Sequence, residues 1–262
     1  MNIPKPIKIQ NKIQETDTIQ TLMFTYPGPV HPGQFYMIWI PNYDEIPMSV
    51  SIIMRNTKAI TFKIIGEATK ALAALTTNDA IGIRGPYGTS YHQQGNHILF
   101  VAGGTGIAML APAIEQATRA NKKATVIIGA KTKKELFFIN RINKTGATVH
   151  ITTDDGTQGT KGYATDIAPT MLKKEPIDSI MTCGPEPMMK KLYTLRNSIP
   201  FQASLERYMK CAIGICGQCC IGEGMRVCKE GPIFTEQTLK TIPEFGIYKR
   251  DSSGKKIYFK DL

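Results

Sequence analysis

Hydrophobic and polar residues alternate in short runs over the first third of the chain. The segments "KPIKIQNKI", "IQTLMFTY", "QFYMIWI", "MSVSIIM" and "AITFKII" are brief and rich in β-branched and aromatic residues, as strands are. Turn-forming stretches such as "YPGPVHPG" and "IPNYDEIP" separate them. Short strands with no long helix between them predict a small antiparallel β-barrel. A short helix at "ATKALAAL" and a last strand at "DAIGIRGPYG" complete this part.

The pattern changes near Gly95. "HILFVAGG", "ATVIIGA", "TVHITTDD" and "DSIMTCG" are apolar runs of strand length, and "IAMLAPAIEQATRA", "KKELFF", "YATDIAPTML" and "EPMMKKLYTLRN" are helical. Strands alternating with helices predict a parallel sheet covered on both faces. Past Pro200 the pattern breaks into short strands, glycines and cysteines, with no internal repeat or low-complexity tract. The expected organisation is multidomain β + α/β: a barrel over residues 1–94, an α/β domain over 95–200 and a small cysteine-rich unit over 201–262.

The 262 residues are 42% hydrophobic and 20% charged, which excludes a disordered chain. No apolar run approaches the roughly 18 residues of a membrane helix. The opening "MNIPKPIKIQNKIQETDT" lacks an apolar signal core. A cytoplasmic protein with reduced cysteines and no membrane contact is expected. The net charge of +11 favours anionic ligands or partners. Its lysines ("KKA", "KTKK", "LKKE", "MKK") are scattered and accompany neither a recognition helix nor an aromatic platform, so nucleic acid is not the expected partner.

Two segments of the α/β part carry candidate chemistry. "HILFVAGGTGIAMLAP" is a strand, a turn with Gly103, Gly104 and Gly106, then a helix. Glycines let the backbone approach a pyrophosphate, and a helix start offers free N–H groups. The spacing is not GxGxxG, so a tight strand-to-helix turn is the competing reading. In "SIMTCGPEPMMKKL" a strand ends at Cys183–Gly184 and a helix starts at Pro185 or Pro187. Ligands bind at the carboxyl ends of such strands. Cys183 is then either beside that ligand or a small buried hydrophobe.

The cysteines raise a different question. Cys211, Cys216, Cys219 and Cys228 are spaced C-x4-C-x2-C-x8-C, among the small residues Ala212, Gly214, Gly217 and Gly222. The first three match plant-type [2Fe–2S] spacing. Zinc usually takes two C-x2-C knuckles, and one is present. A disulfide staple does not suit a reducing compartment. The spacing favours iron–sulfur ligation, with zinc and the staple as alternatives and Cys220 as a packed non-ligand.

"GGTGIAMLAP" together with "CGPEPMM" resembles the ferredoxin-reductase-like flavoproteins, which join a flavin-binding β-barrel to a nicotinamide-binding parallel-sheet domain. The resemblance implies NAD contacts at Gly103, Gly104, Thr105, Gly106, Cys183, Gly184, Pro185, Glu186, Pro187 and Met188. The family's flavin motif, Arg-x-Tyr-Ser or Arg-Pro-Phe-Ser, corresponds to "EIPMSVS". Pro47 and Ser49 fit, while Ile46 replaces the arginine and Met48 the aromatic residue. The implied role of Ser49 is a hydrogen bond near flavin N5, and Ser49 and Cys183 are the candidates closest to the chemistry. "KIIGEATKAL" matches the family's Gly-x-Gly/Ala-Thr at Gly66, Ala68 and Thr69, implying FAD diphosphate binding, with Lys63 and Lys70 adding charge. "GPYG", from Gly85 to Gly88, resembles the turn that closes the barrel beside the flavin.

The order of parts, with "TTDDGTQGTKGYATD", "KKELFF" and "SLERYMKCAIGICGQC", resembles the electron-transfer subunits of dihydroorotate dehydrogenase B. That resemblance implies a C-terminal iron–sulfur domain and three cofactors: FAD, a [2Fe–2S] cluster and NAD. It also implies an FMN-containing catalytic partner in a heterotetramer of two plus two. Electrons then pass from that subunit through cluster and FAD to NAD+ in pyrimidine (UMP) biosynthesis, with no dihydroorotate site in this chain. Lys131, Lys133 and Lys134 stand where an acidic ribose ligand is usual, so NADP is an alternative to NAD. The same order of parts suits the FAD and [2Fe–2S] subunit of an NAD(P)H-dependent ferredoxin or sulfide/polysulfide reductase, or of a hydrogenase. A zinc-stabilised nucleic-acid-binding module is the alternative from another class.

Overall fold

The computed structural model describes residues 3–261. Strands β1 (Lys5–Thr16), β2 (Ile19–Thr25), β3 (Phe35–Trp39), β4 (Glu45–Ile53), β5 (Thr57–Lys63) and β6 (Ala80–Tyr87) form the expected antiparallel barrel, closed in the order β1-β2-β5-β4-β3-β6. Its core includes Ile9, Leu22, Phe24, Tyr36, Ile38, Val50, Ile60 and Ile83, all essentially inaccessible to water. Register shifts in the β1–β2, β3–β6 and β4–β5 pairs bend the strands enough for closure. Helix α1 (Glu67–Ala74) packs Leu72 onto one end of this core.

The second layer system contains β7 (His97–Gly103), α2 (Gly106–Arg119), β8 (Lys123–Ala130), α3 (Ile139–Asn143), β9 (Thr148–Thr153), β10 (Thr160–Lys161), α4 (Ala164–Lys174), β11 (Ser179–Cys183), α5 (Glu186–Leu195) and β12 (Phe201–Ser204). Strands β7 and β11 are buried at every position, which is why both read as continuous apolar runs. "KKELFF" departs from the helix expected of it. It is one 3-10 turn at Lys133–Glu135, started by a Lys134 N–H donated to Thr132 Oγ1 and closed at Leu136, with Phe138 at φ 61° leading into α3.

The cysteine-bearing part adds β13 (Cys220–Ile221), β14 (Met225–Arg226), β15 (Ile233–Thr235), α6 (Glu236–Lys240), β16 (Tyr248–Arg250) and β17 (Lys256–Tyr258). The large sheet runs β10-β9-β8-β7-β11-β12-β15, parallel except where β15 pairs antiparallel to β12. It therefore extends past residue 200: β12 covers the free edge of β11, and β15 covers that of β12. From β7 the chain builds outward through β8 and β9, then returns to place β11 on the other side of β7. That reversal opens a crevice at the carboxyl ends of β7 and β11. Among the described residues no helix is long and apolar enough to cross a membrane.

Arg84 of β6 joins the barrel to the cysteine loop. Its Nε and Nη2 donate to the two carboxylate oxygens of Glu45 at 2.6 and 2.5 Å. Its Nη1 and Nη2 donate to the carbonyls of Cys211 (2.7 Å) and Lys210 (3.0 Å). The side chain is 8% exposed, so these partners replace water. The ends of β7 and β11 are nested as closely: a Cβ at Gly106 would lie 2.1 Å from the Cys183 carbonyl oxygen, and one at Gly184 2.8 Å from Gly103 N.

Two outcomes follow from this packing. Arg84→Met leaves Glu45 without its partner, and denaturant titration should read a loss of about 3–5 kcal/mol. Gly106→Ala forces backbone apart and should lower the thermal midpoint much more than Gly104→Ala, whose added Cβ meets no atom within 4 Å. Gly104→Ala carries only the roughly 1–2 kcal/mol of a left-handed backbone at φ 53°. Equal shifts in the two alanine variants contradict this packing.

Candidate functional site

Two adjoining cavities occupy the crevice. The larger, about 790 Å³, is lined by Gly103, Gly104, Thr105, Gly106, Gly184, Pro185, Glu186, Pro187 and Met188, nine of the ten residues expected at a dinucleotide. The tenth, Cys183, lines the smaller cavity of about 300 Å³. The glycines differ in what they do. A Cβ on Gly103 would meet Pro185 Cδ at 2.7 Å and Met188 Sδ at 2.8 Å, so it allows β7 and α5 to touch. Gly104 faces open space, so its backbone is free to meet a ligand. Helix α2 begins at Gly106 with no side-chain cap, leaving N–H groups at the cavity wall for an anion.

The smaller cavity gathers Pro47, Met48 and Ser49 of β4, Lys63 of β5 and Thr69 of α1. Lys63, Thr105, Gly106, Glu206 and Arg207 line both cavities, so ligands placed in the two would adjoin. Gly66 and Ala68 are not on the wall. Thr69 Oγ1 accepts the N–H groups of Ile65 (2.9 Å) and Gly66 (3.0 Å), and Ala68 packs against the barrel core. Gly85 and Gly88 are also off the wall. The Gly85 carbonyl accepts the Tyr26 hydroxyl at 3.0 Å, and a Cβ on Gly88 would lie 2.5 Å from Pro232 Cδ. Their turn seats the cysteine-bearing part against the barrel.

Several wall residues carry no sequence pattern that announces them. Arg207 donates to both oxygens of Glu186 at 2.6 and 3.2 Å, with both side chains at most 6% exposed. Burial pushes the Glu186 carboxyl up, and Arg207 opposes the shift. Glu206, on the wall of both cavities, lies within electrostatic reach of Lys249 and Arg207. Lys131 lines the larger cavity, while Lys133 and Lys134 do not. Carboxylates reach it from Glu135, paired to Lys63 at 3.1 Å, and from Asp154 beyond β9. The fixed offset used to look for an acidic residue after β8 misses both.

All six cysteines are free thiols: Cys183, Cys219 and Cys228 buried, Cys211 and Cys220 half-buried, Cys216 exposed. The four expected ligands fall into two pairs. The Cys216 N–H meets Cys211 Sγ at 3.5 Å, and the Cys228 N–H meets Cys219 Sγ at 3.4 Å. Ala212, Gly214, Gly217 and Gly222 all take positive φ, which wraps the backbone around these sulfurs. Burial pushes the Cys211 thiol up, but N–H groups of Cys216, Ile213 and Ile215 outweigh it and bring the thiol down to about 6. Cys228 is pushed up to about 12 by burial and by Cys219 facing it.

N–H donors thus favour the Cys211 thiolate, while Cys219 and Cys228 face each other in a buried position. Among the described residues no three His, Cys, Asp or Glu side chains gather around a single point. Two sulfur pairs, one for each iron, fit a [2Fe–2S] cluster. Cys220 sits apart, its Sγ directed at the Gly224 carbonyl at 4.0 Å.

Comparison with known proteins agrees with this geometry. Residues 206–240 match the family model "Iron-sulfur cluster binding domain of dihydroorotate dehydrogenase B", and residues 100–193 match "Oxidoreductase NAD-binding domain". A Methanocaldococcus jannaschii protein, "Probable dihydroorotate dehydrogenase B (NAD(+)), electron transfer subunit", is 45% identical, covering 99% of this chain and 100% of the relative. A Methanothermobacter thermautotrophicus protein of the same name is 41% identical over 98% of each chain. Among solved structures, one described as an NADH-dependent reduced ferredoxin-NADP oxidoreductase superposes with a TM-score of 0.81 at 25% identity, covering 88% of each chain. The ferredoxin reductase of carbazole 1,9a-dioxygenase shares the fold at a TM-score of 0.65, 19% identity, and 72% and 64% coverage. The chain belongs to the electron-transfer subunits of dihydroorotate dehydrogenase B.

Proposed function

We propose that this chain carries electrons between an FMN-containing catalytic subunit oxidising dihydroorotate and NAD+, within a heterotetramer of two subunits of each kind. When bound, a [2Fe–2S] cluster exchanges single electrons, NAD a hydride, and FAD either, so the three together join one-electron and two-electron chemistry. The observation that carries the reading is the shared wall of the two cavities, with the cysteine loop clamped to the same barrel by Arg84.

Cys211, Cys216, Cys219 and Cys228 hold the cluster in residues 201–262. The barrel, residues 1–94, would hold FAD, with Pro47, Met48 and Ser49 of β4 offered to its ring and Lys63 and Thr69 to its polar groups. Gly66, Ala68, Gly85 and Gly88 act behind them by shaping α1 and the closing turn. In residues 95–200 the Gly103–Gly106 turn and the start of α2 take the dinucleotide pyrophosphate. Gly184–Met188 and Cys183 bring its nicotinamide toward β4. Arg207 and Glu186, neutralising each other, keep this junction free of an unpaired buried charge.

The same arrangement suits a subunit of an NADH-dependent ferredoxin reductase, a reading favoured by the superposition at a TM-score of 0.81. The 45% identity along the full chain favours the dihydroorotate assembly instead. Copurification with an FMN subunit that oxidises dihydroorotate separates the two.

Cys216→Ser is expected to abolish the iron–sulfur absorbance and electron delivery from the partner while leaving NADH-dependent flavin bleaching in place. Loss of bleaching with FAD still bound contradicts the assigned order. Gly104→Val places a branched side chain in the open space above the turn and should raise the KM for NADH by about tenfold or more. Unchanged turnover with a dye acceptor contradicts the assignment of the larger cavity.

A further inference from the structure

The β16–β17 hairpin lies beyond residue 240, where the family matches end. Its root is fastened on both sides. Glu244 Oε1 accepts the Gly222 N–H at 2.9 Å, and Gly246 packs so closely on α5 that a Cβ there would lie 2.4 Å from Lys190 Cβ. Across the hairpin the rings of Tyr248 and Tyr258 are 5.5 Å apart, and the Lys256 ammonium sits 4.6 Å from the Tyr248 ring centre. Lys249 and the half-buried Phe259, which follows β17, both line the larger cavity.

Charge singles out Lys249. Five cationic side chains line that cavity, and three are engaged: Lys63 with Glu135 (3.1 Å), Lys191 with Asp166 (2.9 Å) and Arg207 with Glu186 (2.6 Å). Among the described residues, Lys131 and Lys249 have no carboxylate within ion-pair distance. Lys131 follows β8, on the side of β7 away from β11 and the smaller cavity. Lys249 acts electrostatically on Glu206, which lines both cavities. Lys249 therefore shares the wall of the larger cavity with a residue that also borders the smaller one, at the end where a nicotinamide would meet the flavin.

We propose that the β16–β17 hairpin is a third wall of the dinucleotide site, with Lys249 binding the phosphate nearer the nicotinamide and Phe259 packing on the same half of the ligand. This rests on the reading of the larger cavity as the dinucleotide site. An ammonium with no carboxylate within ion-pair distance can take a phosphate oxygen, and the attraction weakens with salt.

The test is NADH-dependent flavin reduction by the assembled complex carrying its cofactors. Lys249→Gln should raise the KM for NADH about tenfold, a typical loss for one charge-assisted hydrogen bond, and flatten the salt dependence of KM. Its kcat should hold, and Lys249→Arg should restore KM. Phe259→Ala should raise KM as well. If Lys249→Gln leaves KM and its salt dependence unchanged while Gly104→Val impairs binding, the hairpin proposal is overturned alone. If both variants leave KM unchanged, the cavity assignment falls with it.

Discussion

Arg84 is the interaction on which the arrangement depends. The cysteine loop buries Ala212, Cys219, Ile221, Val227 and Cys228 in the core it shares with β12 and α5, but the loop's entry at Lys210–Cys211 presents backbone carbonyls that apolar burial does not place. The guanidinium fixes it by donating to two successive carbonyls, Lys210 and Cys211, at the loop's entry. Its charge is balanced within the barrel by Glu45 on β4, the strand that also carries Pro47, Met48 and Ser49. One side chain thus links the first cysteine of the loop to the strand assigned to the flavin. Arginine suits the task because its planar fork meets a carboxylate and two carbonyls at once.

The larger sheet positions the other half of the site by similar economy. Strand order reverses beside β7, so the glycine turn after β7 and the Cys183–Pro185 segment after β11 open onto one crevice. Gly106 and Gly184 let the two segments nest, and Gly104 remains open above them. The barrel closes the crevice from the far side through Lys63, making one continuous groove of two cavities. A carrier between one-electron and two-electron partners needs this adjacency, because hydride transfer requires near contact of the reacting rings.

Much of this was legible in the sequence. Period-two runs in the first third and apolar strands alternating with helices afterwards gave the barrel and the sheet. The glycine turn, Cys183–Met188 and the four cysteines stood out because each is contiguous in the chain and chemically unusual. What stayed hidden depends on long-range juxtaposition. Arg84 reads as one more charge on a strand, and "SLER" gives no sign that Glu206 and Arg207 stand between two cavities. Gly85 and Gly88 were assigned to the flavin because a glycine turn beside a ligand and one beside another backbone look alike. In the structure Gly85 and Gly88 meet Tyr26 and Pro232 and do not line either cavity. Strands β12 and β15 join the large sheet for a reason no local pattern carries: edges of β11 and β12 would otherwise lie unpaired.

The most direct measurement is the joint iron, acid-labile sulfide and flavin content of the chain purified without oxygen. The two sulfur pairs and the cavity proposed for the flavin call for about two irons, two sulfides and one FAD per chain. Zinc without labile sulfide, or a chain that retains no flavin, would contradict the account.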